Sequence, residues 1–157
     1  MRIAIITILT LSYLILGLPS VDGVALACLH HFFHGNVFHL AVNALSIWFL
    51  FKRWKASELL LAYVIASLAF FAGATPAIGF SNMIYATIGL RTPSLRSAWW
   101  KQENTIIFLA VTLVMFLLPN VSAATHVASF IGGTLVAILT RWTRRIINDS
   151  SRYTGNL

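Results

Sequence analysis

Charge is the scarcest property of this sequence. Of 157 residues 10% are charged and four are acidic, whereas about a quarter of a soluble domain is charged. Cysteine occurs once, as Cys28, which excludes an intramolecular disulfide and any metal site made of cysteine alone. No internal repeat or low-complexity tract is present. Apolar residues are what remains: 59% of the chain is hydrophobic and the mean hydropathy is +0.84. That composition belongs to an integral membrane protein. At about 20 residues per spanning helix, the length leaves room for roughly six spans and no separate soluble domain.

The first apolar run, 3–18, follows Arg2 and has the dimensions of a signal peptide. No small-residue cleavage site follows it before Pro19 and similar runs continue downstream, so it reads as the first membrane helix. Further spans are predicted over 35–51, 57–74, 79–90, 104–118 and 124–140. Turn signals separate them: Pro19 with Gly23, Gly73 with Pro76, Pro93, and Pro119-Asn120. The expectation is an all-α, polytopic membrane bundle of six transmembrane helices over 1–141, followed by a basic cytoplasmic tail over 142–157.

The basic residues orient this bundle. All eleven fall before the first span (Arg2), between the second and third (Lys52, Arg53, Lys55), between the fourth and fifth (Arg91, Arg96, Lys101), or after the sixth (Arg141, Arg144, Arg145, Arg152). None lies in the other three loops, so the positive-inside rule puts both termini in the cytoplasm and the loops at Asp22, Thr75 and Val121 outside. The net charge of +7 is explained by anionic lipid at the cytoplasmic surface. No nucleic-acid partner is implied.

Against this apolar background, four polar side chains stand out. At 1.5 Å per helical residue, Ser81 lies about 15 Å from Arg91, His126 about 22 Å from Arg141, and His39 and Asn43 about 20 and 14 Å from Lys52. Polar groups from three helices thus share one layer between mid-depth and the outer side, and intramembrane polar residues are functional candidates by default. The fourth span reaches only about 18 Å, so the residues before it, around Pro76, must dip into the membrane as irregular backbone beside protein or a water-filled cavity. Ser81 then occupies a first helical turn, where free N–H groups and the dipole favour an oxyanion. A serine nucleophile with an oxyanion hole is built in this way.

Simpler accounts exist for each residue. Ser81 fits a plain N-cap, His126 a histidine satisfied within the bundle, and Asn43 a helix–helix hydrogen bond. His30 and His34 are spaced i, i+4 and on a helix could ligate one metal, and His39 with His126 could ligate haem. No carboxylate lies nearby to orient such ligands, so neither a metal nor another cofactor is expected.

At these residues the chain resembles the rhomboid intramembrane serine proteases. His34-Gly-Asn-Val-Phe-His39-Leu-Ala-Val-Asn43 matches the family's second-helix pattern HxxxxHxxxN. Gly79-Phe80-Ser81-Asn82, followed by Tyr85 and Gly89, is similar to the GxSG serine motif, and His126 with Gly133 to the sixth-helix HxxGxxxG segment. The resemblance covers residues 30–140, in the family's order.

The resemblance implies a rhomboid-like fold and a serine endopeptidase that cuts transmembrane segments of other membrane proteins near the outer face. Ser81 would be the nucleophile, His126 the general base, His39 and Asn43 oxyanion donors, and Tyr85 a ring packed on His126, with Gly79, Gly89 and Gly133 serving helix packing. A rhomboid-like pseudoprotease that binds transmembrane helices without cutting them is the alternative. The expected location is the bacterial plasma (inner) membrane. Two positions depart from the pattern: Asn82 replaces the second glycine of GxSG, and Ser129 the first glycine after the base. Either the helix contact is looser there, or Asn82 and Ser129 hydrogen-bond each other. The first outer loop, roughly 19–29, also lacks the length and the Trp-Arg pair of many rhomboids, so gating must differ or be absent.

Overall fold

The fold follows from apolar helices that bury small or apolar residues on one side and leave large ones outward. A computed structural model describes residues 1–16, 23–50, 55–73, 77–92, 106, 110, 112–114 and 122–154, with side chains of the last helix described to 148. Six helices are labelled here: α1 (Arg2–Leu16), α2 (Gly23–Leu29), α3 (Val37–Leu50), α4 (Ala56–Ala69), α5 (Ser81–Arg91) and α6 (Ala123–Thr154). Single 3-10 turns extend α2 (His30–Phe32) and α4 (Phe70–Ala72). No strand occurs among the described residues, and the chain is an all-α helical bundle.

Five of the six expected spans have a helical counterpart. The fifth, 104–118, lies mostly outside the described residues, as do all four prolines that marked turns. By length and composition, Ala123–Asn148 is the described helix able to cross a membrane, while Arg2–Leu16, Gly23–Phe32, Val37–Phe49 and Ala56–Ala72 are apolar but shorter.

Two boundaries differ from expectation. The segment before His30 was expected to be loop, yet Gly23 turns the chain at φ +56 and Val-Ala-Leu-Ala-Cys-Leu continues as α2, burying Leu26 and Ala27. The last helix does not stop near Thr140. No glycine or proline follows Gly133 before Gly155, so nothing breaks it, and the basic segment continues α6 to Thr154.

The short α5 is the centre of the bundle: Ser81 through Gly89 are all buried. It packs chiefly against α6 and next against α4. Glycine allows the closest approach. A Cβ added to Gly89 would overlap the Phe130 carbonyl and lie 2.9 Å from Thr134 N; one added to Gly133 would overlap the Ala86 carbonyl and lie 2.9 Å from Leu90 N. With the starts of the two helices also meeting, Ser81 against His126, α5 and α6 are parallel. Ser129, Gly133 and Ala137 form the buried small-residue stripe of α6, as its spacing predicts.

The two ends of the bundle differ in chemistry. At one end Arg2 sits 4.7 Å over the Trp48 ring and donates to the Trp48 carbonyl at 2.7 Å, tying α1 to α3. There too Arg91 pairs with Glu58 at 2.8 Å, tying α5 to α4. Ser81 begins α5 at the opposite end. Large apolar residues such as Leu14, Ile15, Leu60, Leu68 and Phe71 are exposed around the bundle, as suits a surface that meets lipid.

Because Gly133 faces backbone, Gly133→Ala should destabilise the protein by about 1–3 kcal/mol. Gly132→Ala should cost less, since its Cβ would meet the Ile65 methyl at 2.9 Å, a side-chain atom that can yield. Unfolding midpoints in mixed micelles check the contrast; equal loss at both positions would contradict the backbone contact.

Candidate active site

The turn into α5 aims the serine. Gly79 has φ +112, a conformation that side chains resist, and its N–H donates to the His30 carbonyl at 2.8 Å. Phe80 is the N-cap and has no side-chain capping bond; its carbonyl accepts the N–H groups of Met83 and Ile84 at 3.0 and 3.2 Å. Ser81 is therefore the first helical residue and not a cap. Its Oγ lies 2.7 Å from His126 Nε2, and both residues are buried.

The hydrogen bonds assign the imidazole its tautomer. His126 Nδ1 lies 2.7 Å from the Ser122 carbonyl, which can only accept, so Nδ1 carries the proton. Nε2 of the neutral ring is then a lone-pair acceptor and takes the Ser81 O–H. The Tyr85 ring stands edge-on to His126 at 4.9 Å and 71°, and its hydroxyl donates to Thr112 Oγ1 at 2.7 Å.

Residues of α3 complete the surroundings. Asn36 starts that helix, its Oδ1 accepting the His39 N–H at 2.8 Å in the ordinary capping geometry. His39 and Asn43 both lie against Gly79: a Cβ there would fall 2.6 Å from His39 Cε1 and Nε2 and 3.2 Å from Asn43 Nδ2. Asn43 is fully buried and neither amide atom has a partner among the described residues. Among the described residues it makes no helix–helix hydrogen bond, and its amide lies beside the serine turn. His34 packs edge-on to His39 at 5.2 Å.

The departures from the motif resolve differently from either expectation. Asn82 Nδ2 bonds His30 Nε2 at 3.2 Å, while Asn82 Oδ1 and Ser129 Oγ have no partner among the described residues. The two do not hydrogen-bond each other, because the Asn82 amide is turned to the 3-10 segment. Nor is the helix contact loosened at Gly89 and Gly133, where the backbones touch. The His30–His34 ligand pair does not form on a helix: the 3-10 turn ends at Phe32, and Phe33 is extended at φ −90, ψ 143.

Several contributors had no sequence signal. Ser122 acts through its backbone carbonyl, which any residue would supply, and Thr112 is only one hydroxyl in an apolar run. Asn36 could have been found, as a capping residue three before His39.

The Rhomboid domain family model matches residues 21–143. No curated protein matches the chain.

Gly79→Ala should lower stability by about 2 kcal/mol or more, combining a backbone conformation that disfavours a side chain with overlap on His39. A thermal unfolding midpoint unchanged in detergent would contradict that geometry.

Proposed function

Because the chain belongs to the rhomboid family, we propose that it is an intramembrane serine endopeptidase working through a Ser81–His126 dyad on transmembrane segments of other proteins. The observation that carries this reading is the 2.7 Å contact from Ser81 Oγ to His126 Nε2, with Nδ1 already committed to a carbonyl. The chain is an integral membrane protein. The gathering of Arg2, Glu58 and Arg91 at one end of the bundle supports a cytoplasmic face there, with Ser81 toward the outside.

Ser81 Oγ attacks the scissile carbonyl as its proton passes to His126 Nε2. The imidazolium keeps Nδ1–H on the Ser122 carbonyl, so the ring holds its orientation while charged, and Nε2–H protonates the leaving amine. His126 then deprotonates a water that attacks the acyl-enzyme ester, releasing the acid and restoring Ser81. The oxyanion of each tetrahedral intermediate is served by Asn43 Nδ2, by His39 and by the Ser81 N–H. Asn43 supports this role because its buried amide has no other partner among the described residues. The parallel starts of α5 and α6 add two positive helix ends on the same side.

A wholly apolar groove of about 320 Å³ lies between α3 and the 110–114 segment, lined by Phe38, Val42, Leu45, Ser46, Phe49, Ala110 and Val114. It borders the helix that carries His39 and Asn43. We assign it as the entry for an apolar substrate helix.

Ser81→Ala and His126→Ala should each abolish cleavage of a single-span test substrate while leaving the unfolding midpoint near that of the unsubstituted protein; substantial residual cleavage in either variant rules out the dyad. A fluorophosphonate should label Ser81. Absence of labelling in folded, detergent-solubilised protein would instead indicate a rhomboid-like scaffold that binds helices without cutting.

A further inference from the structure

We propose that His30 and Asn82 form a brace that positions the nucleophile turn; as a statement about catalysis it rests on the dyad reading above. Two contacts from His30 straddle Ser81. Its backbone carbonyl accepts the Gly79 N–H at 2.8 Å, two residues before the serine. Its ring Nε2 accepts the Asn82 amide at 3.2 Å, one residue after.

The donor and acceptor roles are forced. His30 Nδ1 lies 2.8 Å from the Ala27 carbonyl and must donate to it, which leaves Nε2 with only a lone pair. The group facing Nε2 must therefore be the NH2 of Asn82. Both residues are buried, at 0% and 1% exposure, so water cannot replace either partner. Glycine at 82, as in the GxSG pattern, would leave Nε2 without a donor. The asparagine and the histidine satisfy each other.

The anchor of the brace is itself held. The His30 ring packs at 3.8 Å on His31 and at 5.0 Å on Phe70. His31 Nε2 meets Ser67 Oγ at 3.1 Å, and the Tyr63 hydroxyl donates to the Cys28 carbonyl at 3.1 Å. Through these contacts α4 fixes the 3-10 turn, and the turn fixes Gly79 and Asn82. His30 and Asn82 are positioning residues: neither touches the reacting atoms.

The test compares the unsubstituted protein with His30→Ala, Asn82→Ala, the double variant and His30→Gln, whose side-chain carbonyl can accept from Asn82. Amide hydrogen exchange of the 77–84 segment in detergent reads the turn directly. Each single alanine variant should exchange roughly tenfold faster, the double no faster than the worse single, because the two act through one bond. His30→Gln should recover much of the protection that His30→Ala loses. Fluorophosphonate labelling at Ser81 should slow in the same order. Unchanged exchange, additive effects in the double variant, or labelling of the alanine variants at the unsubstituted rate overturns the brace. If the unsubstituted protein exchanges as expected but is never labelled, the dyad reading falls, and the exchange pattern alone decides whether the brace exists.

Discussion

Backbone contact between α5 and α6 at Gly89 and Gly133 sets the separation on which the site depends. Ser81 precedes Gly89 by eight residues and His126 precedes Gly133 by seven, each about two helical turns. The helices run parallel, so both side chains reach the same level on facing sides. A hydrogen bond of 2.7 Å tolerates little widening. Removing two Cβ atoms two turns away is therefore part of bringing a hydroxyl to an imidazole.

Among the described residues, no carboxylate is bonded to His126. A carboxylate behind His126 would have to be desolvated among apolar helices, at a cost of several kcal/mol. The Ser122 carbonyl is a dipole that the chain already carries to that depth at the start of α6, and it selects the same tautomer that a carboxylate would. The same device recurs at His30, where the Ala27 carbonyl holds Nδ1. In both places a backbone oxygen decides which ring nitrogen stays available.

Much of this arrangement was legible before any coordinates. The shared depth of Ser81, His126, His39 and Asn43 followed from distances to flanking charges, and the structure brings those side chains around one turn. Tyr85 lies against His126, at the spacing the motif predicts. What stayed hidden has a physical pattern. Ser122 and Ala27 act through carbonyls, which side-chain identity does not encode. The Asn82–His30 bond joins residues 52 apart through a 3-10 turn between the first outer loop and the second span, so no periodicity pointed to it. α2 was missed because a seven-residue apolar helix falls short of the length that identifies a span. The end of α6 was misjudged because a change from apolar to basic composition is not a helix stop; only glycine, proline or a cap is.

The continuity of α6 links distant parts of the molecule. Its 32 residues make a rod about 48 Å long, longer than a hydrocarbon core of about 30 Å. His126 lies in the first turn, and Arg141, Arg144 and Arg145 lie in the other half. The glycine contact with α5 lies between those two ends. One helix thus joins the imidazole to three arginines with no break between them.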